Sequence, residues 1–106
     1  MKKIINGLRY DTEKAVEVGT ATNPTVEQTT DFSYWEAALY KTPRSGHFFL
    51  AGEGHAMTRF ARHSDGSSGW GEKIIPMSKE EALEWAEQYL DAEDIEEHFA
   101  DSIKEA

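Results

Sequence analysis

The hydrophobic pattern of this 106-residue chain alternates through most of its length and changes to helical spacing in the last quarter. Residues 2–5 are short and β-branched at their end, and Asn6-Gly7 follows them. A two-residue hairpin turn needs positive φ at both central positions, so this pair predicts a hairpin with residues 8–10 as its return strand. Asp11-Thr12 offers a cap for a single helical turn through Ala15. Residues 16–22 alternate as a strand does. A short helix ending at Gly19 is the competing reading, because period alone cannot settle so short a stretch. The polar run 22–30, with Asn23-Pro24 at its front, predicts a surface loop.

Residues 31–42 carry the clearest strand pattern. Phe32, Tyr34, Ala38 and Tyr40 fall on one face with Glu36 as the lone charge, and Trp35, Ala37 and Leu39 fall on the other. Pro43-Arg44-Ser45-Gly46 predicts a turn, and residues 47–51 return through Phe48-Phe49-Leu50, which makes a long antiparallel hairpin. Both faces of this hairpin are apolar, so one should meet helices and the other must be covered or used. After Gly52-Glu53-Gly54, residues 56–63 read as a short helix with Met57, Phe60 and Ala61 on one side. Residues 64–71 read as a flexible loop with Trp70 near its end, and residues 72–77 as a strand with Pro76 near its end.

Ser78-Lys79-Glu80-Glu81 is a capping box: the serine oxygen takes a first-turn N–H and Glu81 reaches back to the cap. Leu83, Ala86 and Leu90 form the apolar stripe of the helix that follows, with Trp85 and Tyr89 beside it. Asp91 marks a break or a fresh cap, and Ile95, Phe99 and Ile103 mark a second stripe. The fold class expected is α+β: one domain over residues 1–106, with a small antiparallel sheet of four or five strands and the C-terminal helices packed on one face.

Composition then narrows the chemistry. The chain has no cysteine, which excludes disulfides, thiolate metal sites and thiol nucleophiles and fits a reducing cytoplasm. No stretch reaches the roughly 20 apolar residues of a membrane-spanning helix, and Met1-Lys2-Lys3-Ile4-Ile5 turns polar too soon for a secretory signal, so a cytoplasmic location is expected. The net charge is −9, and its placement is the more informative feature. From Lys79 onward there are eleven acids against two lysines, whereas residues 1–78 balance. Such a field repels nucleic acid and anionic membranes and attracts a basic surface over a Debye length of about 8–10 Å. Direct nucleic-acid binding is not expected without a basic stripe to release counterions.

Three pieces of the chain carry a resemblance: residues 5–12 (Ile-Asn-Gly-Leu-Arg-Tyr-Asp-Thr), residues 34–54 from Tyr34-Trp35 to Gly52-Glu53-Gly54, and residues 71–78 (Gly-Glu-Lys-Ile-Ile-Pro-Met-Ser) with the acidic helix after them. Over most of its length the chain resembles short hypothetical proteins of bacteria, phages and integrated mobile elements. No catalytic residues transfer with that likeness. It implies a context, in which short acidic proteins often bind and block a host machine, as anti-CRISPR and other anti-defence proteins do.

Candidate chemistry is sparse. His55 and His63, with Glu53 nearby, could in principle hold a metal, but their spacing matches no helical ligand pair, and ordinary surface histidines explain them. The glycine-bearing segments 52–54 and 66–71 lack the residues that make a phosphate loop. Ser45, Ser67 and Ser68 have no nucleophile elbow around them, with His47 or His63 as the only bases in view. The expectation is therefore a non-enzymatic, cofactor-free and metal-free protein-binding factor, accessory or inhibitory. Its acidic surface, Glu80, Glu84, Glu87, Asp91, Glu93, Asp94 and Glu97, would dock on a basic host protein such as a nucleic-acid-binding complex. A solvated face that only keeps the chain in solution is the plainer reading of the same residues. The aromatic set Phe32, Tyr34, Tyr40 and Trp70 is a second candidate interface, to a partner or within a homodimer, with core packing as its alternative. The enzyme-class alternative is a small metal-assisted hydrolase built on His55, His63 and Glu53.

Overall fold

The computed structural model describes residues 1–26 and 28–106, so Glu27 of the predicted 22–30 loop lies outside the described residues. Strands β1 (Lys2–Ile5) and β2 (Leu8–Asp11) pair around Asn6-Gly7, whose φ values of 51° and 79° are the left-handed pair that this turn demands. The Asp11 carboxylate accepts the Glu13 N–H at 3.0 Å, and the Asp11 carbonyl accepts the Ala15 N–H at 3.1 Å, so the expected single turn forms.

The centre of the molecule is a four-stranded antiparallel sheet. Strand β3 (Val16–Thr22) pairs with β4 (Trp35–Lys41), β4 with β5 (Phe48–Gly54), and β5 with β8 (Gly71–Met77). The strand reading of residues 16–22 therefore holds over the helical one. Strand β4 starts later than the predicted residue 31, because the Asp31 carboxylate accepts the Ser33 N–H at 2.8 Å and its carbonyl the Tyr34 N–H at 3.0 Å. That local turn competes with the ladder and leaves Phe32 outside the strand.

Two predicted segments differ more. Residues 56–63 form no helix. The Thr58 hydroxyl donates to the His55 carbonyl at 2.9 Å and accepts the Phe60 N–H at 3.3 Å, which spends the backbone in tight turns. Phe60 is nevertheless fully buried, because its ring lies over Gly52, where a Cβ would come within 2.7 Å of it. Met57, placed beside it by the helical reading, is 74% exposed. The predicted loop 64–71 is instead a second hairpin of β6 (Arg62–Ser64) and β7 (Ser67–Gly69), turning at Asp65-Gly66 with φ values of 47° and 77°.

Helices α1 (Lys79–Tyr89) and α2 (Ala92–Phe99) pack on one face of the sheet. The capping box is present, with the Glu81 N–H donating to Ser78 Oγ at 3.1 Å and the Ser78 N–H donating to Glu81 Oε1 at 2.8 Å. The buried side of α1 is Ala82, Trp85 and Ala86, rotated from the predicted Leu83–Ala86–Leu90 line. Trp85, the largest apolar group on the helix, takes the centre, and Leu83 and Leu90 flank it half-buried. Asp91 is the N-cap of α2, and Phe99 at its end is fully buried, stacked on Phe48 at 4.8 Å and 10°. The predicted second stripe stops there: a single 3₁₀ turn (Ala100–Ser102) follows, and Ile103 is 42% exposed.

The opposite face of the sheet has a smaller core. Tyr10 of hairpin β1–β2 packs with Phe49, Ala51 and Ile74, and Ile5, Ala15 and Tyr40 border this cluster. Part of that face, on the side of β3 and the ends of β4 and β5, is left uncovered as a shallow groove of about 470 Å³.

Candidate functional site

Helix α1 turns Ala82, Trp85 and Ala86 toward the sheet, so Glu80, Glu84 and Glu87, at i, i+4 and i+7, stand on the opposite side in solvent. Asp91, Glu93 and Glu97 are exposed as well, and Asp94 is half-buried. Six of the seven acids that the sequence assigns to one surface are thus in water on the outside of the two helices. Among the described residues, no lysine or arginine lies within 4.0 Å of any of the seven. Of the two lysines of this region, Lys79 is paired: its Nζ meets Asp101 Oδ2 at 2.6 Å and holds that carboxyl below its ordinary range. Uncompensated like charges on neighbouring turns repel one another, and a cationic surface relieves that repulsion.

The aromatic set does not form one exposed face. Tyr34 is buried and its hydroxyl donates to Glu36 Oε2 at 2.7 Å. Tyr40 stacks on Phe49 at 5.3 Å and 15°, half-buried at the border of the core beside hairpin β1–β2 and also lining the uncovered groove. Phe32 is 66% exposed on its turn, and Trp70 is 38% exposed with its ring edge-on to His55 at 4.5 Å. Tyr10 of the N-terminal hairpin belongs to the cluster that Tyr40 borders.

The histidines stay apart. His55 Nε2 is 2.6 Å from the Thr29 carbonyl, and His63 Nδ1 is 2.7 Å from Ser68 Oγ across the β6–β7 hairpin. Glu53 lies on β5 among other carboxylates. Among the described residues, no group of three histidine or carboxylate side chains is placed to hold a metal ion.

One arrangement was missed in the sequence. The strand register sets Glu36 opposite Glu53, and Glu53 opposite Glu72, in a row across three strands. Directly opposed like charges destabilise a sheet. Here the conflict is relieved by a proton. Hydrogen bonding from Tyr34 and Glu53 holds the Glu36 carboxyl below its ordinary range. Glu53, facing that carboxylate and partly desolvated, is pushed up to about 7. The pair borders the uncovered groove together with Thr20, Thr22 and Ala38. Chemically it is an acid and its conjugate base in contact, able to take up or release one proton near neutrality. The predicted turn at residues 43–46 already placed Glu36 across from Glu53; only the position of Glu72 needed the pairing of β5 with β8.

No protein-family model matches this chain, and no similarity to a curated protein or to a solved structure is found. Among the described residues, no helix is long and apolar enough to cross a membrane.

Proposed function

We propose that this protein is a non-enzymatic binding factor whose acidic C-terminal helices dock on a basic surface of another protein. The observation that carries the reading is the segregation of charge: the whole excess of acids lies in residues 79–106, and Glu80, Glu84, Glu87, Glu93 and Glu97 stand on the outside of α1 and α2 with no lysine or arginine among the described residues within 4.0 Å of them. A surface of this kind competes for the lysines and arginines with which nucleic-acid-handling proteins hold phosphates. The resemblance to proteins of mobile elements makes a host complex of that kind the partner class, and blocking it the consequence.

The test uses the full chain as bait for bacterial nucleic-acid-handling complexes at low and at moderate salt. Replacement of Glu84, Glu87, Glu93 and Glu97 by Gln is expected to weaken capture and to flatten its salt dependence, each exposed charge contributing roughly 0.2–1 kcal/mol. A DNA duplex in excess is expected to displace the bait. Capture that is unchanged by the four Gln substitutions overturns the electrostatic reading.

A further inference from the structure

The net charge of this chain is −9, yet one depression between two of its turns is lined by three bases and a single acid: Arg9, Lys14 and Arg44 with Asp11. The strand register explains why they meet. Val16 pairs with Lys41, so the segment that enters β3 and the segment that leaves β4 run next to each other at that end of the sheet. Lys14 lies on the first segment, and Thr42, Arg44 and Ser45 lie on the second. Arg9 and Asp11 are two apart on β2 and so share one face of that strand, the face that does not carry Tyr10. The four charged residues thus border one surface.

Both turns are tied down by hydrogen bonds. The Asp11 carbonyl accepts the Lys14 N–H at 3.2 Å and the Ala15 N–H at 3.1 Å, while its carboxylate accepts the Glu13 N–H at 3.0 Å. In the other turn the Gly46 N–H donates to the Thr42 carbonyl at 3.1 Å, and the His47 N–H donates to Thr42 Oγ1 at 2.9 Å. Thr42 Oγ1 and Ser45 Oγ are 2.8 Å apart. One hydroxyl hydrogen closes that contact, and the other is left for a ligand whichever of the two donates. Among the described residues, none of the three bases lies within 4.0 Å of a carboxylate oxygen, that of Asp11 included. Cations held round one depression repel one another, and an anion between them relieves that repulsion.

We propose that this depression binds a phosphate group, with Arg9, Lys14 and Arg44 around its oxygens and the Thr42–Ser45 hydroxyl pair donating to one of them. Three bases less one acid leave two positive charges, which match a phosphate dianion. Guanidinium groups suit such an anion because their paired N–H donors engage two oxygens at once. The depression, about 210 Å³, is smaller than the roughly 300–1,000 Å³ of sites for whole small molecules. It therefore takes the phosphate group and leaves whatever carries it outside. All three bases are exposed, so water weakens each contact, and the affinity for phosphate alone is modest, in the millimolar range. This inference does not rest on the proposed function, since none of these residues belongs to the acidic helices.

Titration of the full chain with inorganic phosphate, followed residue by residue in proton–nitrogen correlation NMR spectra at constant ionic strength, tests it. Amide shifts are expected to concentrate at Lys14, Thr42, Arg44 and Ser45 and to saturate in the millimolar range. Arg62 and Lys73, exposed bases elsewhere, are expected not to move. Lys14→Gln and Arg44→Gln are each expected to weaken binding about fivefold, the upper end for one exposed charge pair, with the far-UV circular dichroism unchanged. Arg62→Gln is expected to bind as wild type does. Phosphoserine capped at both ends, titrated in parallel, separates the sources: tighter binding than phosphate assigns the site to a phosphorylated protein, and weaker binding assigns it to free phosphate. Shifts that do not saturate, or that are as large at Arg62 and Lys73 as in the depression, show a diffuse counterion atmosphere and overturn the proposal. So does binding that Lys14→Gln and Arg44→Gln leave unchanged.

Discussion

Glu53 shows how much a single residue depends on its neighbours across the sheet. Its carboxyl faces Glu36, whose charge is fixed by the Tyr34 hydroxyl, and Glu72 stands on its other side. Its folded pKa of about 7 lies above the ordinary 4.5, so the folded state binds more protons than the unfolded chain between those values. Stability contributed by Glu53 is present below about pH 4.5 and is lost as the pH rises through about 7. Glu36, shifted downward, acts in the opposite sense and loses its contribution at acid pH. Glu53→Gln removes the titrating group and keeps the shape. The variant is expected to melt at a higher temperature than wild type at pH 8, with a flatter dependence of Tm between pH 5 and 8; a wild-type Tm that does not fall over that range contradicts the shared proton. In the sequence Glu53 read as a companion of His55, because proximity along the chain is visible there. Proximity across strands needs their register: the 43–46 turn sets Glu36 against Glu53, and the pairing of β5 with β8 adds Glu72.

Elements whose ends are set by local chemistry were legible, and those set by packing were not. Asn6-Gly7, the 43–46 turn and the 78–81 capping box each carry the residue types their geometry requires, and each is where it was read. Asp65-Gly66 has the same positive-φ geometry as Asn6-Gly7. It was passed over because serine and histidine flank it in place of alternating apolar residues. The apparent helix at 56–63 failed because Thr58 hydrogen-bonds its own backbone and Phe60 is drawn onto Gly52. The two helix starts give an internal control. Ser78→Ala removes a made cap and is expected to cost about 1 kcal/mol. Asp91 makes no side-chain hydrogen bond at the start of α2, so Asp91→Ala is expected to cost less. Urea midpoints of the two variants measure both; a Ser78→Ala loss no larger than that of Asp91→Ala would contradict this ranking, in which a made hydrogen bond outweighs a charge at the helix start.

For the whole molecule, the α+β class and the placement of the helices on one face followed from the change of hydrophobic period near Ser78. The acidic half of the charge pattern was equally plain, because its residues are contiguous. The small basic group on the N-terminal hairpin was less plain: residues 1–78 balance in number, and the pairing of β1 with β2 brings Arg9 beside Lys2 and Lys3, with no carboxylate oxygen among the described residues within 4.0 Å of them. The pairing of β5 with β8 from end to end has a practical side. Everything between Gly54 and Gly71 is an excursion from a completed ladder, and residues 62–68 are all exposed. Lengthening such an excursion at its tip costs only roughly 0.6 kcal/mol per doubling of the loop. A short foreign peptide spliced between Asp65 and Gly66 is therefore expected to be displayed with the far-UV spectrum kept and the Tm within a few degrees of wild type. The protein thus carries, away from its N-terminal hairpin and its helices, a ready position for an epitope or a fluorophore.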